Sequence, residues 1–283
     1  MALPKFTRSA PIGVFDSGLG GLSVLQHIRQ TLPNEALIYV ADSGFAPYGD
    51  KTSAEILERS IAATDFLLNK KIKALVVACN TATAAAITHL RLHYPDLIIV
   101  GIEPGLKPAS RLSKTKKIGV LATLSTIQSE KYQRLSAQLS AETSVEFIPQ
   151  ACVGLVDQIE KAEANADQTR LLLKKYLNPL LDANVDTLVL GCTHYPFVAD
   201  LIPELTSAHT PDSEPIKLID TGKAVASQIQ RMLVERDLTT STSNGDIPRI
   251  DAYTNGNPEK LKHACTHWIN IPEEKLSVFS FST

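Results

Sequence analysis

Long apolar runs are missing from this sequence, and so are the usual signatures of cofactor and metal chemistry. Hydrophobic stretches such as Ala74–Cys79 and Leu97–Ile102 are about strand length, well short of the roughly 20 residues that span a bilayer as a helix. The first ten residues carry Lys5 and Arg8 without an apolar segment, which argues against a secretory leader. No C-x-x-C pair, no complete G-x-G-x-x-G and no His/Asp/Glu cluster at metal-ligand spacing occurs, and no pyridoxal-phosphate signature is recognised, so no cofactor or metal is expected. Cysteine is scarce as well. Four in a chain of 283 residues without a leader read as reduced thiols in the cytoplasm, not as a disulfide framework. Excess positive charge is also lacking: 28 Lys and Arg against 30 Asp and Glu give a net charge of −2, so neither nucleic acid nor an anionic membrane is an expected partner.

What is present is a regular alternation of β-branched apolar runs with helical patterns, the mark of βα units around buried, mostly parallel sheet. Strands are expected at Ile12–Phe15, Leu37–Val40, Leu75–Ala78 and Ile98–Ile102, with helices at Leu22–Thr31, Ser53–Leu68 and Thr83–Leu92. A second series follows, with strands at Ile118–Leu121, Glu146–Pro149, Thr187–Gly191 and Ile216–Ile219. Its helices are expected at Ser125–Leu139, Ala166–Asn184, Phe197–Leu205 and Lys223–Glu235. The stretches Thr206–Pro215 and Asp237–Arg249 read as polar loops, and the tail as strand, helix Pro258–Trp268 and strand. The series echo each other. Ile12-Gly13-Val14-Phe15 returns as Ile118-Gly119-Val120-Leu121, and Leu75–Thr81 returns as Leu188–His194, in the same order and at nearly equal offsets. The expected fold is therefore α/β, with two doubly wound lobes whose strand-end loops meet at a ligand-binding cleft.

Two cysteines occupy matching places in that echo. Cys79 and Cys192 each follow an apolar strand, where free backbone N–H groups and a helix dipole lower a thiol pKa. A single cysteine ending a strand is most often inert packing; the paired occurrence favours chemistry. Cys152 and Cys265 lack the setting and read as packing residues. Asn80, Thr81 and Thr83 after the first thiol, and Thr193 and His194 after the second, suit a carboxylate at a helix start; N-capping is the plainer role, above all for Thr83. Asp16-Ser17-Gly18-Leu19-Gly20-Gly21 reads either as an anion loop with Asp16 facing the cleft or as a helix cap with tight packing. Asp220-Thr221-Gly222 is a weaker version of it. Tyr48, in Pro47-Tyr48-Gly49, either bonds a ligand or closes a turn.

Taken together, these motifs resemble the glutamate racemases of the aspartate/glutamate racemase superfamily. The resemblance is carried by Phe15-Asp16-Ser17-Gly18-x-Gly20-Gly21, Pro47-Tyr48-Gly49, Cys79-Asn80-Thr81-Ala82-Thr83, Gly101-Ile102-Glu103-Pro104 and Gly191-Cys192-Thr193-His194-Tyr195-Pro196. It implies a pseudo-symmetric pair of domains, residues 1–102 with 220–283 and residues 103–219, with the active site in the interdomain cleft. It implies that Cys79 and Cys192 act on opposite faces of the α-carbon of glutamate without a cofactor, in a homodimer, supplying D-glutamate for the bacterial cell wall. Asp16, Ser17, Tyr48, Gly49, Asn80, Thr81, Thr193 and His194 match the binding positions of the family. The resemblance makes Asp16 the tuner of the first thiol, and Glu160 with His194 that of the second; by itself Glu160 reads as a surface helix charge. Ala41-Asp42-Ser43-Gly44-Phe45 departs from the family pattern and removes a histidine, and Val153 stands where proline is common. The residues alone leave open aspartate as substrate, a thiol–disulfide or redox-sensing role for the same cysteines, and simple anion binding.

Overall fold

Buried parallel strands account for the apolar runs. The structure is a computed structural model that describes residues 6–161, 167–209, 214–240 and 248–281. Two compact units emerge, one from Met1–Ile102 with Gly222–Thr283 and the other from Glu103–Thr221.

The first unit begins with β1 (Ile12–Asp16), α1 (Leu22–Thr31), β2 (Leu37–Ala41), α2 (Ser53–Asn69), β3 (Ala74–Val77), α3 (Asn80–His93) and β4 (Ile98–Gly101). The second unit contains α4 (Leu106–Leu112), β5 (Lys117–Ala122), α5 (Leu124–Gln128), α6 (Glu130–Thr143), β6 (Glu146–Ala151), α7 (Leu155–Glu160), α8 (Asp167–Asp182), β7 (Thr187–Gly191), α9 (Leu201–His209) and β8 (Lys217–Ile219). The chain then returns to the first unit with α10 (Gly222–Glu235), β9 (Ile250–Thr254), α11 (Pro258–His267) and β10 (Leu276–Ser280).

Both sheets are parallel throughout. Their orders are β10-β9-β2-β1-β3-β4 and β6-β5-β7-β8. The run β2-β1-β3-β4 repeats as β6-β5-β7-β8, so the sequence echo is a duplicated doubly wound topology. Its Ile-Gly-Val element has a packing reason. A Cβ on Gly13 would lie 3.0 Å from Ile72 and 3.1 Å from Leu67 on α2, and one on Gly119 would lie 2.5 Å from Leu188 and 2.8 Å from Leu180 on α8. In each repeat the glycine lets a leucine-bearing helix lean directly on the central strand.

Helix boundaries follow local chemistry. α2 starts at a reciprocal capping box between Thr52 and Glu55. The single helix expected at Ser125–Leu139 is two helices, because Ser129 adopts extended backbone and caps α6 through the Tyr132 N–H. The helix expected from Thr83 begins three residues earlier, at Asn80. Phe197–Leu205 divides into a 3₁₀ turn, Tyr195–Val198, and α9, which also takes in the start of the expected Thr206–Pro215 loop. α4 and α7 were not anticipated. Lys5, Ala166, residues 210–213 and 241–247 of the polar stretches, and the last two residues of the tail lie outside the described residues. Among the described residues no helix is long and apolar enough to cross a membrane.

One ionic group is built into the first unit's core. Lys73 and Glu35 pair at 2.5 Å with side chains 0% and 1% exposed, and Thr240 donates to Glu35 from its N–H and its hydroxyl. Burial pulls the Lys73 ammonium below its ordinary range, opposed by its bond to Glu35. Removing one partner would strand the other charge, a loss of about 3–5 kcal/mol.

Candidate active site

Parallel strands bring their C-terminal loops to one edge of each sheet, and the motifs lie there. In the first unit Cys79 is the cap residue of α3. It keeps extended backbone (φ −111°, ψ 122°) while the Ala82 N–H donates to its sulfur at 3.4 Å. The unpaired N–H groups and positive dipole end of a helix favour the thiolate. Thr83, read as a capping candidate, instead joins α3 to the sheet: its hydroxyl donates to the Val77 carbonyl and accepts from the Ile102 N–H, both at 3.2 Å.

Ser17 reaches the same sulfur, with Oγ and Sγ 3.4 Å apart. Its loop is held from within. Asp16 Oδ2 accepts from the N–H groups of Gly18 at 3.1 Å and Gly21 at 3.0 Å, and Tyr39 donates to the Gly18 carbonyl at 2.7 Å. A Cβ on Gly21 would lie 2.6 Å from that of Asp16, so only glycine permits this closure. Asp16 thus packs closely on Gly21 and already occupies two of the loop's amides.

Asn80 and Thr81 form the first turn of α3 and are buried. Both amide atoms of Asn80 lack a hydrogen-bond partner, an arrangement that costs about 1–3 kcal/mol for each buried group left unsatisfied. Tyr48 and Gly49 lie in a 3₁₀ turn, Tyr48–Asp50, that packs against α3. The Tyr48 phenol donates to Asp42 Oδ2 at 2.5 Å; burial, followed by the Asp42 charge, pushes its pKa far upward.

In the second unit Cys192 follows β7 directly, where Cys79 follows β3 after one residue. No α-helix begins here; the chain enters the 3₁₀ turn at Tyr195. The Cys192 sulfur lies 3.8 Å from His194 Nδ1, and His194 Nε2 lies 2.9 Å from Glu160 Oε1 at the end of α7. Burial opposes the imidazolium, yet hydrogen bonds and charges from Cys192 and Glu160 outweigh it and hold the His194 pKa well above its ordinary value. A doubly protonated His194 donates to both neighbours. Glu160 is thus tied to this imidazole, with its side chain 18% exposed. Thr193, which separates the two residues in sequence, is buried.

Cys152 corrects one expectation. It does sit at a strand end, directly after β6 and before α7, but burial pushes its thiol up to about 12. Cys265 is buried in α11 with its thiol likewise pushed to about 12. Sequence reasoning missed Asp42 as a bonding centre, and missed Arg59 and Asn255, which both bond its carboxylate. Their separation along the chain leaves no spacing to read. Among the described residues no group of three or more His, Cys, Asp or Glu gathers in a way that could hold a metal ion.

A parallel α/β topology in two copies, each placing a buried cysteine and its polar neighbours just past equivalent strand ends, defines the class: a duplicated doubly wound α/β fold. The profile of the Asp/Glu/Hydantoin racemase family matches residues 12–229. A glutamate racemase of Pseudomonas syringae pv. tomato is 50% identical over 232 residues, 82% of each chain. Among solved structures, a glutamate racemase isoform from Bacillus anthracis superposes with a TM-score of 0.82 at 30% identity, covering 97% of this chain and 98% of the other. The glutamate racemase of Francisella tularensis in complex with D-glutamate gives 0.79 at 28% identity, covering 96% and 98%. The chain belongs to the Asp/Glu/Hydantoin racemase family of enzymes.

Proposed function

We propose that this enzyme interconverts L- and D-glutamate without a cofactor, using Cys79 and Cys192 as acid/base partners on opposite faces of the α-carbon. The observation that carries the reading is the equivalence of the thiols: each follows the strand that flanks the central strand in its repeat, β3 beside β1 and β7 beside β5. Similarity to glutamate racemases supports the substrate. One thiolate takes the α-proton and becomes a thiol. The other thiol returns a proton to the opposite face and becomes a thiolate, so each turnover exchanges the two states with no net oxidation.

The half-sites suit this work. Ser17 and the start of α3 stabilise one thiolate, and the His194–Glu160 pair stabilises the other. Asp16 holds the loop that carries Ser17 to Cys79. The unpartnered Asn80 amide, with one acceptor and two donor hydrogens, matches a substrate bearing both carboxylate and ammonium groups, and Thr81, Thr193, Tyr48 and Gly49 complete the binding set. The product serves bacterial peptidoglycan synthesis, in the cytoplasm and from a homodimer, whose assembly sedimentation velocity checks.

The deciding assay follows L-glutamate and L-aspartate separately by circular dichroism in deuterated water. Glutamate is expected to lose its optical activity while gaining one α-deuterium, and aspartate to remain largely unchanged. A Cys192→Ala variant that racemised glutamate at the rate of the unmodified enzyme would refute the two-thiol scheme.

A further inference from the structure

We propose that Arg59 and Asn255 are positioning residues of the Cys79 half-site, acting through the Asp42 carboxylate to fix Tyr48 and its turn. The inference rests on the reading that this half-site handles glutamate.

Asp42 is the first residue beyond β2, and its side chain is 1% exposed. A lone carboxylate there would be costly, and four donors remove the cost. Oδ1 accepts from Arg59 Nη2 and Asn255 Nδ2, each at 2.6 Å. Oδ2 accepts from Arg59 Nε at 2.9 Å and from the Tyr48 phenol at 2.5 Å. Arg59 thus grips both oxygens with the geometry of a bidentate pair, and Tyr48 has its one proton committed to Asp42.

The same residues restrain the chain on either side. The Asp42 N–H donates to the Asp16 carbonyl at 3.0 Å, which joins this centre to the loop carrying Ser17. Asn255 Oδ1 accepts from the Gly44 N–H at 2.8 Å. The Arg59 guanidinium lies 3.7 Å from the centroid of the Phe45 ring, so the residue that departs from the family pattern packs on the clamp. Three elements converge: the end of β2, the middle of α2, and the residue after β9. What they hold is the Tyr48–Asp50 turn, which packs against α3, the helix that Cys79 caps. A loosened clamp frees that turn and weakens substrate binding more than it slows proton transfer at sulfur.

The test is a double-mutant cycle on the full chain with glutamate. Asn255→Asp keeps the acceptor for Gly44 and removes the amide donor to Asp42. Arg59→Lys keeps the charge and loses the fork. Each is expected to raise KM about tenfold or more with a smaller fall in kcat, the size of one lost hydrogen bond to a charged group. Lowering the pH should restore much of the KM of Asn255→Asp, because a proton shared between the two carboxylates replaces the lost donor. In a Tyr48→Phe background either substitution should add no more than about a twofold effect, since the device is already broken. An unchanged KM, or full multiplication of the effects, overturns the proposal. If Asn255→Asp does not fold, Arg59→Lys carries the same cycle. An unmodified protein inert toward glutamate would overturn the activity and this inference together; an active one with unaffected variants would overturn only the positioning role.

Discussion

The two repeats put a sulfur at equivalent places in one topology and then surround it differently. The contacts of Cys79 include an amide from the first turn of a 14-residue helix and a serine hydroxyl, groups that do not titrate in the ordinary range. At Cys192 no α-helix starts, and an imidazole backed by a carboxylate stands in its place. One sulfur lies against fixed dipoles, the other beside an imidazole whose ion pair with Glu160 exists only while His194 holds its second proton. Duplication preserved the position of the sulfur and left its surroundings free to diverge, so under the proposed scheme the pH dependence should come chiefly from the second repeat.

The largest effect that would break this comparison comes from the thiols. Cys79→Ala and Cys192→Ala should each lower racemisation by at least about a thousandfold, the scale of losing a proton-transfer group. Each variant should still exchange the α-proton of one enantiomer in deuterated water, and a different enantiomer in each case; exchange of the same enantiomer by both would refute one thiol per face. Next is Glu160→Gln. Removing the carboxylate lowers the proton affinity of His194, so the imidazolium is lost at lower pH and the alkaline limb of kcat/KM should shift downward. The value near neutrality should fall by about tenfold to a hundredfold, equally in both directions because the enantiomers have the same free energy.

Ser17→Ala probes the dipolar side. A fall of about threefold to tenfold is expected, with the alkaline limb unmoved; a shift like that of Glu160→Gln would erase the distinction between the half-sites. The smallest effect is on stability. Because the folded-state pKa of His194 is raised, the native state binds its proton more tightly than the unfolded chain does. That contribution is complete below the ordinary imidazole range and is lost as the pH rises through the raised value. Urea unfolding over this window should show the difference between unmodified enzyme and Glu160→Gln shrinking as the pH increases.

The strands were legible because buried parallel strands are continuous apolar runs, and Thr187–Gly191 coincides with β7 from end to end. Helices long enough to show a period were legible too, as in Leu22–Thr31. α4 and α7 are too short for one, and the break at Ser129 depends on a single backbone rotation within an otherwise helical pattern. The thiols were legible through the internal echo. The place of Glu160 came only from the resemblance, since its partner lies 34 residues along the chain. Asp42, Arg59 and Asn255 left no trace, because contacts spanning 17 and 213 residues have no local signature.

The strand β9 pairs along the whole of β2, joining Ile250 to Leu37 and Thr254 to Ala41. During synthesis on the ribosome, β2 therefore emerges with one flank unoccupied and stays so until the entire second unit has been translated. Closing so distant a pair carries a large entropic cost and favours slow, late completion of the sheet. Asn255 follows that strand directly, so Asp42 receives its amide only when the sheet is zipped, and a nascent chain halted before Ile250 would hold both cysteines yet lack a finished cradle for Tyr48.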